Sequence, residues 1–284
     1  MTTTRPYRSA LYIPGSKERA LEKAKTLAAD AIIFDLEDAV APDEKAAARA
    51  LLVETLATAD YGNRTRIVRV NGLDTEWGAD DIAAFKGAKI DALLIPKVSS
   101  AKDLDAVAAL IPDVPLWAMM ETALGMLNAA QIAAHPRLAG MVMGTNDLAK
   151  ELNSRFRADR LPMQVGLGLC LLAAKAQGLT IVDGVYNAFK DEDGLRIECE
   201  QGRDMGFDGK TLIHPAQLDI ANQAFAPSDA EVETAQRQID AFNAAKAAGQ
   251  GVAVVDGKIV ENLHIVTAEA TLAKAAAIKA MSQT

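Results

Sequence analysis

Ala31-Ile32-Ile33-Phe34-Asp35-Leu36-Glu37-Asp38 sets four apolar residues directly against a segment with three carboxylates. The apolar half has the length of a strand and no polar alternation, the pattern of a strand covered by helices on both faces. The acidic half begins where such a strand ends. Three further runs break in the same way: Arg66-Ile67-Val68 into Arg69, Leu116-Trp117-Ala118-Met119-Met120 into Glu121, and Gly140-Met141-Val142-Met143-Gly144 followed by Asp147. In a parallel α/β sheet, residues just past the C-terminal strand ends converge on one face, where such folds keep their chemistry. Four charged strand ends therefore predict one site.

Working outward, short β-rich runs alternate with longer Ala/Leu/Lys/Glu-rich stretches along most of the chain, which is the signature of repeated βα units. Eight strands are expected, near residues 8–13, 31–36, 66–70, 91–96, 115–121, 138–144, 179–183 and 207–212. Helices are expected between them at 17–28, 43–57, 80–86, 101–110, 123–134, 165–177, 194–205 and 215–224. Eight parallel strands can close on themselves, so the expected fold is a (β/α)8 barrel over residues 1–226. From residue 227 to 284 the pattern changes to a polar-faced helix, a Gly-bounded stretch and an Ala-rich helix. This reads as a C-terminal arm or lid.

The 284 residues are half apolar and a quarter charged, enough for a sizeable core. The net charge of −8 lacks the clustered Lys and Arg of a nucleic-acid surface, so small molecules and other chains are the expected partners. The start Met1-Thr-Thr-Thr-Arg-Pro-Tyr7 has no apolar targeting core, and no run approaches the roughly 18 apolar residues of a spanning helix. No membrane partner and a cytoplasmic location are expected. Cys170 and Cys199 match no zinc or redox spacing and read as incidental thiols.

Glu121 and Asp147 end the fifth and sixth strands and would be neighbours in a closed barrel. Two carboxylates completed by water and a chelating substrate make the oxygen-rich site that Mg²⁺ prefers, with Mn²⁺ as a substitute. The competing reading is that each merely caps a following helix. Arg69 is placed to fork onto a carboxylate or thioester oxygen, or else to form an ion pair with Asp35 or Glu37. Asp35, Glu37 and Asp38 are too many acids for one ion, so some are expected to hold metal-bound water or orient Arg69. His214 reads as a histidine positioned at a helix start, with a general base as the alternative. Pro14-Gly15-Ser16-Lys17-Glu18-Arg19 offers N–H groups and two cations for phosphate, or simply a turn with a Ser cap.

Taken together, these residues resemble the citrate lyase β-subunit-like (HpcH/HpaI aldolase) family of acyl-CoA lyases, over essentially the whole chain. The matching blocks are Ser9-Ala-Leu-Tyr-Ile-Pro-Gly-Ser16, Phe34-Asp-Leu-Glu-Asp-Ala-Val40, Arg69-Val-Asn71, Met120-Glu-Thr-Ala-Leu-Gly125, Gly144-Thr-Asn-Asp-Leu-Ala149 and Val255-Asp-Gly-Lys-Ile-Val260. The resemblance implies a Mg²⁺-dependent barrel acting on an acyl-CoA and assembling as a homotrimer or homohexamer. It also implies metal carboxylates at Glu121 and Asp147, a substrate arginine at Arg69, and an arm that covers a neighbour's site. Ile181-Val-Asp-Gly-Val-Tyr-Asn-Ala-Phe-Lys190 and Asp208-Gly-Lys-Thr-Leu-Ile-His-Pro215 are most similar to the malyl-CoA group and its thioesterase branch. Where the family's lyases carry an arm Asp as acid/base, this chain has Glu261. The extra methylene shifts the carboxyl by ~1.5 Å, and a displacement near 1 Å can cost about 10²-fold in rate. The expectation is therefore thioester hydrolysis, with Glu261, or else Glu37 or Asp38, activating water. Retro-Claisen cleavage of malyl-CoA and a citryl-CoA lyase role are the alternatives.

Overall fold

Each of the eight expected strands is present. In the computed structural model, which describes residues 5–281, these are β1 (Ser9–Pro14), β2 (Ala31–Asp35), β3 (Thr65–Arg69), β4 (Ala92–Ile95), β5 (Leu116–Met120), β6 (Leu138–Met143), β7 (Thr180–Asp183) and β8 (Gly209–Leu212). All neighbours pair in parallel and β1 also pairs with β8, so the sheet closes into the expected (β/α)8 barrel. This barrel is one of two compact units and runs from Tyr7 to Phe225.

The period of two along each strand sorts side chains into two layers. Ile33 turns into the barrel interior with Ala10, Ala31, Ile67, Ala92, Leu94, Trp117, Met119, Val142 and Val182, whereas Ile32 and Phe34 join the larger layer under the helices. The small Ala10, Ala31 and Ala92 share this layer with the large Trp117 indole. Gly140 on β6 is needed beside it, because a Cβ there would collide with the Trp117 ring. Truncating Trp117 to Ala would empty the middle of the barrel and cost about 3–5 kcal/mol.

Around the barrel run α1 (Glu18–Ala24), α2 (Lys45–Thr58), α3 (Gly78–Ala84), α4 (Ala101–Leu110), α5 (Ala123–Leu127), α6 (Ala129–Ala133), α7 (Thr145–Glu151), α8 (Gln164–Ala176), α9 (Glu192–Met205) and α10 (Leu218–Ala224). Three details depart from the sequence expectation. Helix α1 ends at Ala24, and its N-cap is Lys17 with no side-chain cap; Ser16 Oγ is buried and makes no hydrogen bond among the described residues. The helix expected over 123–134 breaks at Asn128, whose Nδ2 donates to the Ser99 carbonyl at 2.8 Å and turns the chain there. Helix α7, which carries Asp147, arises in a polar stretch too short to show helical periodicity.

The second unit contains α11 (Asp229–Ala247), a hairpin of β9 (Ala253–Val255) and β10 (Lys258–Val260), and α12 (Asn262–Met281). A reciprocal Ser228–Glu231 capping box starts α11. Asp256 and Gly257 both have positive φ (50° and 74°), the backbone of a type I′ turn whose twist suits a two-residue hairpin loop. Ala253, Val260 and Ile265 pack with Ile239 and Phe242 into a small core of their own. Among the described residues, no helix is long and apolar enough to cross a membrane.

Candidate active site at the strand ends

Parallel register puts Asp35 of β2 directly beside Arg69 of β3. Arg69 donates from Nε to Asp35 Oδ1 at 2.8 Å and from Nη2 to Oδ2 at 2.6 Å, a two-pronged pair that is almost wholly buried. Its Nη1 lies 2.8 Å from Glu37 Oε2 and 3.6 Å from Asp38 Oδ2. Burial works against the guanidinium charge, but Asp35 and Glu37 more than offset it and hold the group firmly protonated. The Tyr12 ring lies 5.0 Å from the guanidinium carbon, a further favourable contact for the cation. The ion pair offered as one reading of Arg69 is therefore formed. A guanidinium has five N–H donors, Asp35 takes two of them, and Arg69 still lines the cavity above the barrel.

That cavity, about 330 Å³, is also lined by Tyr12, Asp35, Asp38, Met119, Glu121, Gly144, Thr145 and Asp147. Glu121 follows β5 and is 1% exposed. Burial, with smaller contributions from Glu37 and Asp147, pushes its carboxyl up to about 7, although the Lys97 N–H and Arg69 act in the opposite direction. Oε1 accepts the Lys97 N–H at 2.8 Å. Oε2 lies over Gly144, where a Cβ would collide with it. The Asp147 side chain, in the first turn of α7, makes no hydrogen bond or ion pair among the described residues. The helix-cap alternative is thus not taken by either carboxylate.

A buried carboxylate with one uncommitted oxygen and a second, unpaired carboxylate on the same cavity fit a hard divalent cation. The donors are oxygens only. No group of three or more His, Cys, Asp or Glu among the described residues is arranged as a metal site. Two protein ligands leave positions for water and substrate, which suits Mg²⁺.

The remaining sequence candidates separate. Asp35 is fully used: besides Arg69 it accepts the Glu37 and Ala39 N–H groups. Glu37 is divided between Arg69 and Lys97, while the Asp38 side chain is 62% exposed at the cavity. Lys17, the N-cap of α1, and Arg19, in its first turn, are exposed, and Lys17 Nζ lies 3.8 Å from Glu44. His214 Nδ1 accepts the Ala216 N–H and so serves the helix start. Glu261 lies in the other unit, exposed between β10 and α12, with its own N–H donated to His264 Nδ1. The residue that sequence reading passed over is Lys97, just past β4. Applying the strand-end rule to Ala92-Leu93-Leu94-Ile95-Pro96-Lys97 would have found it.

Residues 8–215 match the HpcH/HpaI aldolase/citrate lyase family. Over 275 residues the chain is 80% identical to a (3S)-malyl-CoA thioesterase of Cereibacter sphaeroides, covering 97% of this chain and 96% of that one. An L-malyl-CoA/beta-methylmalyl-CoA lyase from the same organism is 34% identical over 309 residues, with 97% and 96% covered. Among solved structures, CitE of Mycobacterium tuberculosis in complex with magnesium, acetoacetate and coenzyme A superposes with a TM-score of 0.83 at 31% identity, covering 96% of this chain and 99% of CitE. Barrel, strand-end carboxylates and near full-length similarity agree: the chain belongs to the HpcH/HpaI aldolase/citrate lyase family.

Proposed function

We propose that the chain hydrolyses (3S)-malyl-CoA to malate and free CoA at the Glu121–Asp147 end of the barrel. The observation that carries this reading is the 80% identity to a thioesterase of that name, against 34% to the lyase. Glu121, through Oε2, and Asp147 would hold Mg²⁺, or Mn²⁺ in its place. Bound there, the ion would supply positive charge to the oxygen-rich malyl group.

Arg69, held on two sides by Asp35 and Glu37, offers its remaining N–H groups to the thioester oxygen as negative charge grows there. Asp38, facing the cavity with only a 3.6 Å approach to Arg69, holds the attacking water. Glu261, brought by the arm of another copy, takes the water's proton. The water oxygen bonds to the acyl carbon, the C–S bond breaks, and the CoA thiolate leaves. Lys17 and Arg19 meet the phosphates of CoA. The assembly is a homotrimer or homohexamer in the cytoplasm.

The test is to incubate the pure protein with (3S)-malyl-CoA and Mg²⁺ and to quantify free thiol, malate, acetyl-CoA and glyoxylate together. Equal amounts of thiol and malate are expected, with turnover lost on chelation and restored by Mg²⁺ or Mn²⁺. Acetyl-CoA and glyoxylate in equal amounts, without free thiol, would overturn the assignment.

A further inference from the structure

We infer that Lys97 is the positioning residue that ties the metal-binding side of this site to its arginine side. Lys97 follows β4, and β4 lies between β3, which ends in Arg69, and β5, which leads into Glu121. Its backbone N–H donates to Glu121 Oε1 at 2.8 Å. Its Nζ donates to Glu37 Oε1 at 2.6 Å, and the other oxygen of Glu37 lies 2.8 Å from Arg69 Nη1. A single residue thus holds one oxygen of each carboxylate, leaving Glu121 Oε2 open to the cavity and Glu37 Oε2 on the guanidinium.

Both bonds depend on an unusual backbone. Lys97 has φ +52°, in the left-handed region. Of the described non-Gly residues at positive φ, Asn153 and Asp256 are of types that tolerate this region, whereas Lys97 and Arg160 are not, and each of these two cations is held in a carboxylate network. Such an outlier points toward function when the surrounding structure over-determines it. Gly or Asn at this position would relieve the strain and keep the N–H, but would discard the ammonium. The Lys is explained if both its N–H and its ammonium are used. The ammonium is half exposed, so no large contribution to stability is expected of it.

This inference rests on the functional reading above, and its test separates the two. Mg²⁺ affinity is measured by calorimetry, and kcat and KM for (3S)-malyl-CoA are measured on the parent, Lys97→Gly, Lys97→Met, Lys97→Arg and Lys97→Val, with thermal unfolding to confirm folding. Lys97→Gly keeps the N–H in its present direction, so Mg²⁺ affinity should stay within about threefold while kcat falls about tenfold or more, the usual range for a residue that orients a ligand or catalytic group. Lys97→Met should show the same loss of kcat, and Lys97→Arg should recover much of it. Lys97→Val disfavours positive φ and turns the N–H away, so its Mg²⁺ affinity should fall about 10-fold or more. If the folded Gly and Met variants keep parental kcat, or the folded Val variant keeps parental Mg²⁺ affinity, the inference is overturned. If the parent itself neither binds Mg²⁺ nor releases thiol, the functional reading fails instead.

Discussion

The charges around Arg69 and those around Asp183 are drawn from the same residue types, but they differ in balance. In the Asp183 cluster, Arg160 lies 2.6 Å and Lys210 3.3 Å from the Asp183 carboxylate, and Lys210 also lies 2.6 Å from Glu198. Two cations meet two carboxylates, and Lys210 is fully buried. Burial alone would raise the Asp183 carboxyl, but Lys210 and Arg160 hold it below its ordinary range. Around the cavity, Asp35, Glu37, Asp38, Glu121 and Asp147 face, among the described residues, Arg69, Lys97 and Lys45, whose Nζ is spent on the carbonyls of Leu36 and Glu37. This leaves a surplus of two negative charges, and one carboxyl is pushed up to about 7 as a result of its burial. A balanced buried cluster holds the fold. An unbalanced one stays strained until something carrying positive charge arrives.

Removing one carboxylate from each cluster should therefore have opposite consequences, and these are the largest effects expected. Asp183→Asn leaves Arg160 and Lys210 without their shared counter-ion and should cost about 3–5 kcal/mol in urea unfolding, with Mg²⁺ affinity unchanged in the protein that remains folded. Glu121→Gln should abolish Mg²⁺ binding and turnover while leaving the melting temperature equal or higher, because it removes a buried charge that lacks a cation. The sign with pH follows from linkage. The native Glu121 carboxyl keeps its proton up to about 7, whereas the unfolded one loses it near the ordinary value of 4.5. Stability of the metal-free protein should fall as pH rises between those values, and Mg²⁺ affinity should rise as the competing proton leaves. Glu121→Gln should flatten the stability profile. A parent profile that is already flat would remove the strain from the comparison.

The same contrast explains what could be read from the sequence. Asp35, Arg69 and Glu121 were legible because each terminates or directly follows an apolar run, so a local pattern marks a residue whose role is set by topology. The Asp183 cluster has no such mark. Arg160, Asp183, Glu198 and Lys210 lie in different elements of the chain, and only the closed barrel with its β7–β8 register brings Asp183 beside Lys210. Lys97 lies where the strand-end rule points, just past β4, but its left-handed backbone, which aims the N–H at Glu121, has no signature in a Pro-Lys pair. The Ser16 cap was a sound local expectation that failed because the helix begins one residue later, behind Lys17. The eight strands match the expected ranges to within about two residues, since burial on both faces writes most of them as continuous apolar runs, although β3 and β8 carry Arg66 and Lys210 within them. The seven-residue α7 offers too few turns for any period to emerge.

Glu261 tests whether the chemistry of the unbalanced cluster is completed from outside the barrel. Its carboxyl makes no hydrogen bond or ion pair among the described residues, and it belongs to a different compact unit from the cavity. Glu261→Ala should cut hydrolysis by about 10²-fold or more, the scale for losing a general base, with Mg²⁺ affinity unaltered. Glu261→Asp should raise glyoxylate formation relative to thiol release. Mixing inactive Glu261→Ala chains with inactive Arg69→Ala chains should restore activity if one subunit's arm serves another's barrel. Absence of recovery in verified mixed oligomers would confine the chemistry to one chain. Within the barrel, Arg69→Lys keeps the charge but loses the fork onto Asp35, so kcat should fall by about 10²-fold, the scale for losing a donor to a developing oxyanion. A change of only a few-fold would return Arg69 to a purely structural pair like Arg160.

The smallest expected effect belongs to charges that are not buried at all. Lys17, the N-cap of α1, and Arg19, in its first turn, are exposed, and Lys17 is only loosely matched by Glu44 at 3.8 Å. Solvent screens such groups, so each can contribute only a fraction of what Arg69 does, and that fraction should shrink as salt is added. If they meet the phosphates of CoA, Lys17→Ala and Arg19→Ala should each raise KM for malyl-CoA a few-fold, leave kcat unchanged, and lose their difference from the parent at high ionic strength. The sharper control is a malyl thioester of pantetheine, which lacks the nucleotide phosphates: on that substrate parent and variants should have the same KM. A KM defect that persists on the pantetheine thioester would mean the turn acts on the acyl site, and a malyl-CoA KM equal to the parent's would place the phosphates elsewhere on the barrel rim.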